Sequence, residues 1–380
     1  MSKQCLMCQL TREVAAYDSN DLRGVLASVF QYIAATLGVH AVDVLLYDAA
    51  TLTLKHAGGR GFHTRAFETA SVHTVLAAPV IRDRRVVLNS DLRKPEWAQS
   101  QELVNEGFVT YLGMPLVADN QLKGILEIFQ REALNPNALW LETLDEITVY
   151  TASALGQILR IRQLLRANAD LGSTCDAIVE AWSRSLELRD YEPKGHIQRV
   201  TDMTVEFART MSVAEAELVH VRRGAQLHDI GKLDIPDHIL VKTEELTDLE
   251  WEIIRRHPVT AYEMLAPIEA LHPARDIPYC HHEKWDGTGY PRGIKGEEIP
   301  LAARLFALVD TWDTLRSERP YRKAWPENKA REYISERAGK QFDPQLADTF
   351  VKLLESGKMA KPKTSSGPLL GRYDEVIIKV

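Results

Sequence analysis

Eleven residues, HHEKWDGTGYP at 281–291, set His281 and His282 side by side, add Glu283 and Asp286, and then break the chain at Gly287, Gly289 and Pro291. Imidazole and carboxylate are the groups that hold divalent metals and move protons near neutral pH. Neighbouring residues of a helix point about 100° apart, so His281 and His282 would serve two adjacent ions, or one ion and its neighbour's edge, rather than chelate a single ion. The glycines permit a sharp turn and a close approach of backbone to ligand. Tyr290 after them offers a ring to a base or a hydroxyl to a phosphate, or simply closes a structural turn.

More candidates lie along the chain. AQLHDIGKLDI at 225–235 carries His228 and Asp229 within an apolar segment, where a buried carboxylate needs a strong partner such as a metal. Lys232, one turn on, is placed to grip a phosphate. IPLAARLFALVDTWDTL at 299–315 is apolar nearly all round and reads as a buried helix. Asp310 inside it must meet a cation, in a metal site or a salt bridge, or be protonated, and Asp313 lies one turn further on the same side. His257, in RRHPVT, is by itself either a ligand or an ordinary capping histidine. Glu192 and His196, in YEPKGHIQRV, share a face if that stretch is helical, and are then either a metal pair or a solvated pair.

The elements that must position these groups fall into two halves. Residues 20–38 read as an amphipathic helix, followed by the strand-like runs AVDVLLYD and LTLKHAGG. After a polar middle, TYLGMPLVADNQLKGILEIFQRE reads as a second hairpin with Asp119-Asn120 near its turn. From 138 to 171 the pattern is helical. Ile147, Thr151, Ala154, Ile158, Ile161, Leu165 and Asn168 alternate steps of four and three, the spacing of a coiled-coil seam or of a stripe packed on its own domain. Residues 172–358 are mainly helical by pattern, and 359–380 read as a loosely ordered tail.

Length, charge and composition bound the answer. A chain of 380 residues makes two domains the default. A formal net charge of −7 argues against a surface that coats nucleic-acid polymers. No apolar window is long enough for a membrane span, and four cysteines without a secretion signal predict a reduced, cytoplasmic protein. Cys5 and Cys8 form a lone CxxC without a second pair to support a metal site.

The order helix, hairpin, variable middle, hairpin, helix resembles a GAF domain over 19–157, an α+β sensor module with an antiparallel sheet; a sheet domain that only packs or dimerises is the alternative. HDIGK at 228–232 and HHEKWDGTGYP at 281–291, with Glu192, His196, His257 and Asp310 in order around them, resemble the HD-GYP family of all-α metal phosphohydrolases over 172–358. The connecting helix at 138–171 overlaps the end of the first domain. The resemblance implies hydrolysis of cyclic di-GMP to linear pGpG or onward to GMP, under control of a small molecule at the GAF-like domain. It implies a metal set of Glu192, His196, His228, Asp229, His257, His281, His282 and Asp310. Asp229, His228 and Lys232 would be catalytic, with Asp229 bridging the ions; Lys232, Tyr290, Asp313, Arg319 and Arg322 would face substrate. Clustered cations would neutralise the phosphodiester and lower the pKa of water between them. Mixed imidazole and carboxylate donors suit Fe or Mn, with other divalent metals as substitutes. Glu192 four residues before His196 resembles the trinuclear type rather than the binuclear one. DTWDTLRSERPYR departs from the family pattern at Thr314 and Arg316, which puts substrate preference in question. A hydrolase of another cyclic dinucleotide such as cyclic GMP-AMP, or a non-hydrolysing receptor, is the alternative. The linker seam predicts a homodimer.

Overall fold

The computed structural model describes residues 21–63, 70–190, 195–318, 323–357 and 359. The chain divides into two compact units, 1–169 and 170–380.

The first unit is α+β. Helix α1 (Leu22–Leu37) precedes strands β1 (Ala41–Asp48) and β2 (Thr53–Arg60). Helix α2 (Ala70–Asp83), β3 (Val87–Asn89) and a short α3 (Gln101–Asn105) form the middle, and β4 (Thr110–Ala118) and β5 (Gln121–Gln130) complete the sheet. The five strands pair antiparallel in the order β2-β1-β5-β4-β3. Asp119 and Asn120 join β4 to β5 with φ of 50° and 58°, both left-handed, as a two-residue hairpin requires.

Alternation along the strands sends Val42 and Val44 to one face, with α1, and Ala41 and Leu45 to the other. That second face also buries two acids directly opposite each other, Asp43 on β1 and Glu127 on β5. Glu127 accepts a 2.8 Å hydrogen bond from the Tyr111 hydroxyl. Burial, with Glu127 opposite, pushes the Asp43 carboxyl well above its ordinary pKa.

Helix α4 runs from Ala138 to Asp190 and does not stop at Gly172. No atom lies within 4 Å of where a Cβ on Gly172 would be, so the helix continues there without conflict. The seam read from the sequence divides in the structure. Ile147, Thr151 and Ile158 are buried, and Ile147 and Ile158 belong to the core of the first unit. A different set is exposed at steps of three and four: Leu164, Ala167, Leu171, Thr174, Ile178, Ala181, Ser185 and Leu188.

The second unit is helical. Its core gathers α5 (His196–Thr210), α6 (Glu215–Gln226), α11 (Leu301–Arg316), α12 (Glu327–Glu336) and α13 (Pro344–Glu355) around Phe207, Phe306, Trp312 and Phe350. Between α6 and α11 lie four short helices, α7 (Asp237–Leu240), α8 (Asp248–Arg255), α9 (His257–Leu265) and α10 (Asp276–Cys280). The 3-10 turn Ile230–Asp234 carries Lys232. Among the described residues, no helix is long and apolar enough to cross a membrane. Cys5 and Cys8 and residues 360–380 lie outside the described residues.

Candidate metal centre

Five elements deliver the chemistry to one buried place. His196 is the first residue of α5, His228 and Asp229 follow α6, His257 opens α9, His281 and His282 follow α10, and Asp310 sits within α11. The ligand atoms of Asp229, His257, His281 and His282 all lie within 4.8 Å of one another, and those of His196, His228 and Asp310 do the same. His281 and His282 therefore join one group rather than diverging to neighbouring ions. Their helix ends at Cys280, so the 100° rule does not govern the second ring, and their centroids lie 4.0 Å apart.

The ring tautomers can be read from the hydrogen bonds. Carbonyl oxygen only accepts, so an imidazole nitrogen facing one must carry the proton. Nδ1 of His228 donates to Ala225 O at 2.9 Å, Nδ1 of His257 to Ile254 O at 2.8 Å, and Nδ1 of His281 to Ile277 O at 3.1 Å. Each neutral ring then turns an unprotonated Nε2 inward, the orientation in which a histidine binds metal. His257 Nε2 and His281 Nε2 approach to 3.4 Å, and they stand 3.2 Å and 3.6 Å from Asp229 Oδ1. That oxygen is buried and makes no hydrogen bond. Two lone pairs and a carboxylate oxygen converging without a donor fit a divalent cation and little else.

The electrostatics agree. Burial would raise the Asp229 carboxyl, but His228 and Lys232 beside it hold it well below the usual range. Burial lowers the His257 imidazole, and burial with His281 and His257 lowers His282 further, which keeps their nitrogens available as ligands. Asp310, which burial alone would raise, is held low by His196, 3.4 Å away.

Asp313 was expected to face substrate; instead its side chain is fully buried. Its Oδ2 accepts a hydrogen bond from His196 Nδ1 at 2.8 Å, and Arg199 donates to both its oxygens at 2.7 Å and 2.9 Å. It orients a ligand from behind. Arg199 was not anticipated, although its i,i+3 spacing from His196 placed it on that face. Glu192, Arg319 and Arg322 lie outside the described residues. Helix α5 starts at His196, after Gly195 in a left-handed conformation (φ 77°).

Beside the centre lies a cavity of about 140 Å³ whose lining includes His282, Tyr290, Asp310, Arg255, Lys284 and Gln341. Tyr290 stacks on His282 with centroids 4.7 Å apart, and the Arg255 guanidinium lies 5.8 Å from its ring. Gly289 lets the loop fold back, since a Cβ there would fall 2.3 Å from Lys284 N. Lys232 is buried with its Nζ 2.8 Å from Asp229 Oδ2. Arg316 does not line the cavity; it bonds the Trp325 carbonyl oxygen and lies over Trp312. Arg255 and Lys284 are further cations that the sequence does not single out; Arg255 joins the wall only once α8 packs beside the loop at 281–291.

Fold and ligands together define a two-domain protein whose helical half presents a buried His/Asp centre for divalent metal. Residues 21–161 match the family model described as GAF domain, and residues 180–346 match that described as HD domain. The chain thus resembles a GAF domain over its first half and an HD domain over its second. It is 30% identical over 317 residues to a cyclic di-GMP phosphodiesterase of Vibrio cholerae serotype O1, covering 75% of this chain and 63% of that one. It is 37% identical over 180 residues to a cyclic di-GMP phosphodiesterase of Thermotoga maritima, covering 46% and 48%. A 3′3′-cGAMP-specific phosphodiesterase 2 of Vibrio cholerae is 34% identical over 185 residues, covering 48% and 35%. The chain thus spans between about a third and two thirds of the length of these relatives.

Proposed function

We propose that this protein is a metal-dependent phosphodiesterase that hydrolyses cyclic di-GMP to linear pGpG or onward to GMP. The observation that supports the reading is the convergence of seven candidate ligands, six buried and His282 half-buried, four of whose imidazoles have Nδ1 tied to a carbonyl or carboxylate oxygen. Divalent ions held by such a set supply charge neutralisation for a phosphodiester and acidify water. The remaining roles belong to the chain. Asp229 spans the two ligand groups, with His257 on one oxygen and His228 on the other. Lys232 keeps a cation beside that carboxylate, placed for a phosphate oxygen or a departing alkoxide. Tyr290 offers a ring face or its hydroxyl at the cavity wall, where burial raises the hydroxyl's pKa and keeps it a donor. Arg319 and Arg322 are proposed to contact phosphate as bidentate donors.

The mixed donor set favours Fe or Mn, three ions if Glu192 contributes and two if it does not. The GAF domain is proposed to bind a small-molecule signal that regulates the HD domain, and the chain to act as a cytoplasmic homodimer. The relative specific for 3′3′-cGAMP makes that dinucleotide the second reading. Purified, metal-loaded full-length protein is to be given cyclic di-GMP and 3′3′-cGAMP separately, with products resolved by chromatography and bound metal counted by elemental analysis. Faster turnover of cyclic di-GMP is expected. Preference for 3′3′-cGAMP selects the second reading, and binding without turnover sinks both in favour of a receptor.

A further inference from the structure

In the last turn of α4, Arg189 reaches the segment that carries Lys232. Its guanidinium makes five hydrogen bonds: Nη1 to Lys232 O at 3.1 Å and Leu233 O at 2.7 Å, Nη2 to Ile235 O at 2.6 Å, and Nε and Nη2 to Asp237 Oδ1 at 3.1 Å and 2.8 Å. The three carbonyls belong to the 3-10 turn and its exit, the segment that carries Lys232. A 3-10 turn has poorer hydrogen-bond geometry than an α-helix; this one is tied at its ends by Lys232 N to Asp229 O at 2.8 Å and Ile235 N to Lys232 O at 3.0 Å. Its other side is pressed on α9: a Cβ on Gly231 would fall 1.9 Å from His257 O. The segment is therefore clamped between the residue that begins α9, itself a ligand, and the arginine that ends α4.

We infer that Arg189 is a positioning residue: it sets the 3-10 turn so that Lys232 stays against Asp229, and makes the end of α4 the point where strain in that helix reaches the reaction. Planar, five-donor geometry suits it, because one guanidinium reaches three carbonyls and a carboxylate that an ammonium would reach singly. Asp237 holds the fork from the far side, with its carboxylate 77% exposed, so the bond of consequence is the one to the backbone. The helix that ends here begins at Ala138.

The inference rests on the phosphodiesterase reading for its kinetic arm only. In full-length protein, Arg189→Ala and Arg189→Lys are to be compared with wild type for bound metal, melting temperature, kcat and KM on cyclic di-GMP, and amide hydrogen exchange over 230–237. The expected result is unchanged metal content and KM, kcat lower by about 10- to 100-fold, and exchange over 230–237 faster by about tenfold while 257–265 is unaffected. A merely structural role would lower metal content and melting temperature and leave kcat per bound metal intact, and that outcome overturns the inference. Unchanged exchange in both variants overturns it as well. If wild type does not hydrolyse the dinucleotide, the phosphodiesterase reading fails by itself, and exchange with metal content still decides on Arg189. Should Arg189→Ala not fold, Arg189→Lys carries the test, since it keeps the charge and loses the fork.

Discussion

Asp229 and Asp313 are both buried carboxylates held low by basic neighbours, yet they do different work. Asp229 turns a bare oxygen toward two imidazole nitrogens, whereas Asp313 spends both oxygens on His196 and Arg199. Removing the first deletes a ligand; removing the charge of the second only loosens one. Asp229→Ala is therefore expected to lose bound metal and to lower turnover by well over 100-fold, the upper end of what an outer-sphere partner costs, while Asp313→Asn falls by about 10- to 100-fold with most metal retained. Elemental analysis and turnover on the same preparations check this, and a well-folded Asp229→Ala with near-normal activity would sink the assignment.

At the scale of the element, the sheet of the GAF domain carries a cost that its strands alone do not reveal. Asp43 and Glu127 face each other across β1 and β5, both fully buried. Because burial raises the Asp43 pKa, the folded domain holds that proton more tightly than the unfolded chain does. Stability is then full below the unfolded value of 3.8 and declines as pH rises, until the raised folded value is passed. The decline is about 1.4 kcal/mol per pH unit over that window. Asp43→Asn removes the ionisation, so its melting temperature should exceed that of wild type by a margin that grows from acid toward neutral pH. Thermal melts of the full-length protein across pH measure the margin; parallel curves would reject the account. In the HD domain, α11 shows the complementary case, a helix apolar all round whose two acids are matched by His196 and Arg199 brought from α5.

For the whole molecule, the exposed stripe from Leu164 to Leu188 is the feature that bears on assembly. Eight solvent-facing residues at steps of three and four give a seam that a second copy would cover in parallel register. Leu171 and Ile178 are 71% and 46% exposed and lie at its centre, whereas Leu165, 54% exposed, lies off it. Sedimentation at micromolar concentration should show a dimer for wild type and Leu165→Asp, and a monomer for the double substitution Leu171→Asp and Ile178→Asp. A wild-type monomer, or a dimer that survives the double substitution, would discard this seam.

The seven residues that converge, Glu192 lying outside the described residues, were legible in the sequence because they stand out against their surroundings. His228-Asp229 and Asp310 sit in apolar runs, and His281-His282 stand beside a glycine-rich turn, so burial and chemistry could be inferred together. The two sheet hairpins were legible for a similar reason: period-two alternation and Asp119-Asn120 declare strand and turn locally. What lies across the fold was not. Asp313 has the same spacing whether it faces substrate or His196, and only the packing of α11 on α5 decided it. The heptad steps from Ile147 to Asn168 describe a helix face without saying what covers it, and the sheet claimed Ile147 and Ile158. Arg189, Arg199 and Arg255 are not singled out by the sequence, since a guanidinium's partner, tens of residues away, leaves no mark on the local sequence. Residue type and period determine which groups want burial, metal or a turn; which group meets which is decided when the helices pack, because those contacts join residues far apart in the chain.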